Sequence, residues 1–176
     1  MKPETWAEYF AFNLVFGFLC GFNAIAGHEL LHRKDSYNKF VGTLAYAKFF
    51  YGHFLDEHIK GHHKDIATLE DPATAPKNMT VYEFFFRSAF GQVRTTFNRE
   101  CERIKKEHGK ETTLIHLIAL NKMIWFSALH LLMAWTIYFI FGWNGLKHQM
   151  VYATCGAWYL EMINYIEHYG LLRKKE

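Results

Sequence analysis

Three short runs of histidine recur along the chain: His28-Glu29-Leu30-Leu31-His32, Glu57-His58-Ile59-Lys60-Gly61-His62-His63 and Asn164-Tyr165-Ile166-Glu167-His168-Tyr169-Gly170. Imidazole is the commonest protein ligand for a metal ion. His28 and His32 stand at i,i+4, as do His58 and His62, and on a helix such pairs share one face. His63 adds a donor on an adjacent face, and His168 follows a helical segment. Six rings with carboxylates beside them exceed what a single tetrahedral zinc requires. The pattern therefore predicts a multinuclear metal centre, with iron as its metal, built on facing helices at one end of a bundle. Its expected ligands are His28, His32, His58, His62, His63 and His168. Glu29, Glu57 and Glu167 each neighbour one of these and are read as acceptors that fix the tautomer of a ligating ring.

A rival reading is explicit in the first run. His28-Glu29-Leu30-Leu31-His32 fits the HExxH pattern of zinc proteases, with two ligands and a glutamate base. It needs one more ligand and leaves the other two runs unexplained. His53, His108, His116, His130 and His148 have no paired partner in the sequence and are read as ordinary polar groups. Cys20, Cys101 and Cys155 are widely spaced and form no CxxC or disulfide pattern.

The elements that must carry these residues are apolar. Of 176 residues 51% are hydrophobic and 18% aromatic, and the net charge of +3 is too small and dispersed for nucleic-acid binding. The mean hydropathy of −0.11 averages over alternating apolar and charged segments. Trp6 to Gly27 is long enough to cross a ~30 Å hydrocarbon core and ends in the first histidine run. Glu4 and Glu8 favour an uncleaved membrane helix over a leader peptide. Val41 to Leu55 is too short to span. A re-entrant or interfacial helix there keeps the first two runs on one face of the membrane. Thr113 to Phe141 reads as a second span, Trp143-Asn144-Gly145 as a turn, and Gln149 to Ile163 as a third span that delivers the third run.

Between them, 64–79 reads as loop, and Thr80 with Glu83 as a capping box. The box opens an amphipathic helix whose apolar row is Phe85, Ala89, Val93, Phe97, Cys101 and Ile104 and whose other face is charged. That pattern suits a helix lying at the membrane surface or against the bundle. The expected fold is a single all-α integral membrane domain over 1–176, with about three transmembrane helices plus interfacial or re-entrant helices. All histidine runs lie on one membrane face. Arg33, Lys34, Lys39, Arg99, Arg103, Lys105, Lys106, Lys110 and the Arg173-Lys174-Lys175 tail share that face, against only Lys2 and Lys147 opposite. The positive-inside rule makes it cytoplasmic, or the matrix or stromal equivalent.

With these residues in view the chain resembles the membrane alkane hydroxylases of the fatty-acid desaturase/hydroxylase superfamily. The resemblance rests on Glu57 to His63, on Ala67-Thr68-Leu69-Glu70-Asp71-Pro72-Ala73 and on Asn164 to Gly170. It implies a non-haem di-iron centre ligated mainly by histidine, here His28, His32, His58, His62, His63 and His168. It also implies a rubredoxin-type electron donor and O₂-dependent hydroxylation of the terminal carbon of an alkane or fatty acyl chain. Such enzymes carry further helices before the first run and a final HxxHH box after the third, whereas this sequence closes at Glu176. The expectation is therefore one piece of a split or multisubunit hydroxylase, holding two irons or fewer, with a partner chain supplying the missing helices and ligands. The competing expectations are a degenerate structural subunit of a larger membrane complex, an active minimal enzyme, and the zinc protease above.

Overall fold

The computed structural model describes residues 5–174, so Lys2, Glu4 and Lys175 lie outside the described residues. Every regular element within them is helical. They are α1 (Trp6–Leu31), α2 (Ser36–Ala47), α3 (Phe54–Glu57, running through a π turn at His58–His62 into His63–Asp65), α4 (Val81–His108), α5 (Leu114–Ala119) and α6 (Lys122–His168). α1 and α6 are long and apolar enough to cross a membrane. Contacts gather the chain into two compact units. One comprises the chain up to Gly52 with His130–Leu160; the other comprises His53–Leu129 with the chain from Glu161 onward.

In the first unit, α1 is opened by a capping box between Thr5 and Glu8. Such a cap contributes about 1 kcal/mol by satisfying amides that have no partner inside the helix. Its buried stripe is made of small residues: Asn13, Gly17, Cys20, Gly21, Ala24 and Gly27, ending at Leu31. Phe10, Phe12, Val15, Phe16, Leu19, Phe22 and Ile25 are exposed. Small residues inside and bulky apolar ones outside is the arrangement of a helix whose surroundings are themselves apolar. Cys155 lies against Gly17 and Tyr159 against Gly21, where a Cβ would collide with each. The Asn13 amide meets the ring of His148 at 3.0 Å. Since 13, 17 and 21 meet 148, 155 and 159 in rising order, α1 and this part of α6 run parallel.

α2, capped by Asp35, folds back along the end of α1. Gly42 meets Leu31, Gly27 meets Ala45 and Tyr46, and the Tyr46 hydroxyl donates to the Ala24 carbonyl at 3.0 Å. It is a 12-residue helix, about 18 Å long. It is too short to span, as the sequence predicts for this region.

α6 is broken at Gly142 (φ 66°, ψ −164°), a conformation essentially closed to residues with a Cβ. The break falls one residue before the expected turn, and Trp143-Asn144-Gly145 are themselves helical. A second correction concerns the start of this span. The expected continuous stretch from Thr113 divides into α5 and α6, because the Asn121 side chain caps α6 by accepting from the Met123 amide at 2.9 Å.

In the second unit the Thr80–Glu83 capping box is present and opens α4. The helix buries Phe84, Ser88, Gln92, Thr96, Glu100 and Ile104, a row displaced from the apolar one expected. Of that expected row, Val93 and Phe97 are exposed, as are neighbouring Phe86 and Phe90. Hydropathy identifies the apolar stripe, but hydrogen bonds decide which stripe packs. Gln92 donates to Glu161 at 2.9 Å, and Glu100 accepts from Arg103 and from the Lys122 amide. Three of the remaining histidines hold structure: His130 accepts from the Gly52 amide in the first unit, and in the second His116 completes the cap of α5 and stacks on His108.

Candidate metal centre

His28 and His32 lie at the end of α1, where regular α-helical spacing brings them together. Their Nε2 atoms are 3.2 Å apart, with the rings nearly perpendicular. Glu29, between them in sequence, is exposed and forms an ion pair with Arg33 at 3.2 Å.

The second run is built differently. On a regular α-helix positions i and i+5 point about 140° apart. Here the helix widens into a π turn over His58–His62, closed by the His63 amide donating to the His58 carbonyl. The extra residue in the turn carries His63 round to His58, and their Nε2 atoms are 3.0 Å apart. The His58–His62 pair predicted by i,i+4 spacing is instead a ring stack at 5.4 Å. π turns inside helices are frequent at functional sites. Arg99 braces this one, donating to the Asp56 carbonyl at 3.2 Å. Its guanidinium occupies the space a Cβ on Gly61 would need.

His62 is buried and turns its Nδ1 to the Asp71 carboxylate at 2.9 Å. Asp71 also accepts from the Thr74 hydroxyl at 2.6 Å and the Ala73 amide at 3.0 Å. As an acceptor-only group it fixes the proton on Nδ1 and leaves Nε2 with its lone pair. Burial opposes charge on both partners, but the hydrogen bond prevails: His62 is held above the ordinary histidine range and Asp71 below the ordinary carboxylate range. Asp71 is the outer partner that spacing rules overlook, because it lies nine residues from its histidine. The signal available was its place in the Ala67–Ala73 segment.

Most polar residues of the third run hold a neighbour. Asn164 donates to Glu161 at 3.3 Å. The Tyr165 hydroxyl donates to the Met79 carbonyl at 2.7 Å, and the Tyr169 hydroxyl accepts from the Asn78 amide at 3.0 Å. The His168 ring lies 4.7 Å from the His62 ring. Gly170, at φ 72°, donates its amide to Ala75 at 2.8 Å. The end of α6 is thus fastened to the loop that carries Asp71.

Two buried carboxylates accompany these rings. Glu57 is 1% exposed, and both of its oxygens lack a hydrogen-bond partner among the described residues. Arg99 stands 3.9 Å away. Burial, and then the charge of Asp71, push the Glu57 carboxyl up to about 7. Glu161 is equally buried and shares the helix face of Asn164 and His168, an i, i+3, i+7 relation that sequence reading passed over. Glu167 is largely exposed and 4.0 Å from the His168 Nε2.

Comparison with known proteins gives the context of this architecture. The fatty acid desaturase family model matches residues 4–176. The chain belongs to the fatty acid desaturase family. Within it, the chain is similar to the alkane 1-monooxygenases of Ectopseudomonas oleovorans, Pseudomonas putida and Alcanivorax borkumensis, at 33%, 34% and 35% identity over 174 residues. In each case 99% of this chain and 42% of the relative is covered. The chain therefore spans less than half the length of the relatives it matches.

The donor set of this family member fits a transition metal. Two ring nitrogens each ~2.1 Å from one ion and about 90° apart lie about 3.0 Å from one another. The His28–His32 and His58–His63 separations of 3.2 and 3.0 Å both match that edge. Imidazole suits iron, zinc, copper and nickel alike, so the metal's identity is argued from the family rather than from distances.

Proposed function

We propose that this chain contributes six histidines to a non-haem iron centre, of two ions, in a membrane-bound oxygenase that hydroxylates the terminal carbon of an alkane or fatty acyl chain. The ligands in this reading are His28, His32, His58, His62, His63 and His168. The observation that carries it is the π turn that brings His58 and His63 into chelating range, in a chain similar along nearly its whole length to alkane 1-monooxygenases.

Iron bound there would supply the dioxygen activation that an unactivated C–H bond demands. The balance is RH + O₂ + 2e⁻ + 2H⁺ giving ROH and H₂O, with the electrons from a rubredoxin-type donor. The chain's own residues have defined parts in this scheme. Asp71 holds the proton on His62 Nδ1 so that Nε2 can bind metal, and the π turn presents His58 and His63 together. The end of α6 fixes His168 through Tyr165, Tyr169 and Gly170. Exposed apolar surface on α1 and on α6, such as Trp135, Phe139 and Phe141, meets membrane lipid. The break at Gly142 makes α6 two crossings, for three in all. The basic residues near the histidine runs support a cytoplasmic face, or its matrix or stromal equivalent, for them.

The zinc-protease reading is less well supported, because it needs Glu29 to face a metal-bound water and the Glu29 carboxylate is engaged by Arg33. The test is metal analysis and turnover on the chain purified with whatever co-purifies, supplied with a reduced rubredoxin and octane under ¹⁸O₂. Bound iron and ¹⁸O-labelled 1-octanol are expected. Zinc in place of iron, or iron without any labelled alcohol, would overturn the assignment.

A further inference from the structure

Arg87, on the second turn of α4, sends its guanidinium into the loop that follows the second histidine run. Nη2 donates to the Leu69 carbonyl at 3.1 Å and to the Asp71 carbonyl at 3.2 Å, and Nη1 donates to the Thr74 carbonyl. One planar group thereby ties three carbonyls across six residues of loop. The loop needs such a brace. Residues 66–79 contain no regular helix, and among the described residues a backbone amide reaches the Asp71 carbonyl, from Thr74, but none reaches those of Leu69 and Thr74. The bracketed segment carries the Asp71 carboxylate together with the Thr74 hydroxyl and Ala73 amide that orient it. Gly91, one helical turn on, lies against Pro72, where a Cβ would crowd the ring. α4 thus grips the segment by hydrogen bonds and by close packing. A lysine at position 87 has a single ammonium and cannot span three carbonyls in a plane.

We propose that Arg87 is a positioning residue of the metal centre: by clamping the Leu69, Asp71 and Thr74 carbonyls it fixes the Asp71 carboxylate on His62 Nδ1 and so aims His62 Nε2 at the metal. The metal half of this statement rests on the function proposed above; the hydrogen-bond half does not.

The test uses the full chain in nanodiscs, as wild type, R87M, R87K, D71N and the R87M/D71N double variant. Metal-free protein labelled at histidine with ¹⁵N is examined first by NMR for the His62 Nδ1 proton. The wild type shows a slowly exchanging low-field resonance, assigned by its loss in H62A. That resonance disappears in D71N and in R87M and broadens in R87K. Iron(II) affinity is then measured by competition with a chelator. A loss of 10- to 100-fold is expected for R87M and for D71N, the range usual for outer partners of metal ligands. The double variant loses no more than the worse single one, because both act through one hydrogen bond. A resonance that survives in R87M, or losses that multiply in the double variant, would overturn the inference. Should R87M fail to fold, R87K decides: a wild-type resonance and wild-type iron affinity in R87K refute the clamp. Loss of the resonance in R87M with no iron bound by the wild type would sink the metal reading and leave the clamp standing.

Discussion

His28–His32 and His58–His63 reach the same separation by opposite means. The first pair follows from the repeat of an ordinary helix and sits at its end, with His32 exposed. The second needs a π turn, braced by Arg99 at the Asp56 carbonyl. Beside it, His62 is locked by a buried aspartate that belongs to a loop clamped by Arg87 and fastened to the end of α6. One pair is a local property of sequence; the other is a tertiary construction. The difference teaches where substitutions are felt. Changes near His28 and His32 act only if they touch the rings. Changes well removed in sequence from His58, His62 and His63 act through the scaffold.

The largest effect expected outside the ligands is at Asp71. Asp71→Asn lowers iron affinity 10- to 100-fold, read by chelator competition, while Glu29→Gln leaves it at the wild-type value. Equal losses from the two would abolish the contrast. Next comes packing in the first unit. Gly21→Leu collides with Tyr159 and costs about 1–3 kcal/mol of stability, read as a lower thermal midpoint. It nonetheless reduces iron affinity less than Asp71→Asn does, since the first pair is set by its own helix. A larger iron loss from Gly21→Leu would show that this pair too depends on tertiary packing.

A smaller and pH-dependent effect belongs to Glu57. Its carboxyl is raised from 4.5 to about 7 in the folded chain, chiefly by burial. The folded state therefore binds a proton that the unfolded state has lost, between those two values. Its stabilising contribution is complete below about pH 4.5 and is lost as pH rises through about 7. Metal-free Glu57→Gln accordingly melts above wild type at pH 8 and close to it at pH 5. An identical difference at both values would refute the protonated carboxyl. The smallest effect is at the exposed Glu29–Arg33 pair. Arg33→Ala changes stability by less than about 1 kcal/mol and is checked by the same thermal scan.

The sequence carried the local features well and the tertiary ones poorly, for physical reasons. The first long apolar helix, the Thr80–Glu83 cap and the first histidine pair depend on neighbours within four residues, and each is legible in a single stretch of chain. That α2 is too short to span was legible from length alone. The π turn was not, because i,i+4 spacing between His58 and His62 suits a regular helix equally well, and only the braced Gly61 region distinguishes the two. Asp71, Arg87 and Glu161 were passed over because their partners are 9, 16 and 69 residues away. The packed face of α4 was not legible, because an apolar stripe suits a helix at a membrane surface as well as one against the bundle, and the buried row finds partners as distant in sequence as Glu161 is from Gln92. The break in α6 was placed a residue late because Trp143-Asn144-Gly145 has turn composition, yet only Gly142 adopts the conformation that stops the helix.

The central claim is that the helix-set pair and the scaffold-set histidines are metal ligands, and iron K-edge X-ray absorption on the purified, iron-loaded chain tests it most directly. The account predicts a first shell dominated by nitrogen near 2.1 Å with the outer-shell scattering of imidazole. That scattering weakens in both His32→Ala and His63→Ala. A shell without imidazole scattering, or one unchanged in His63→Ala, would contradict it.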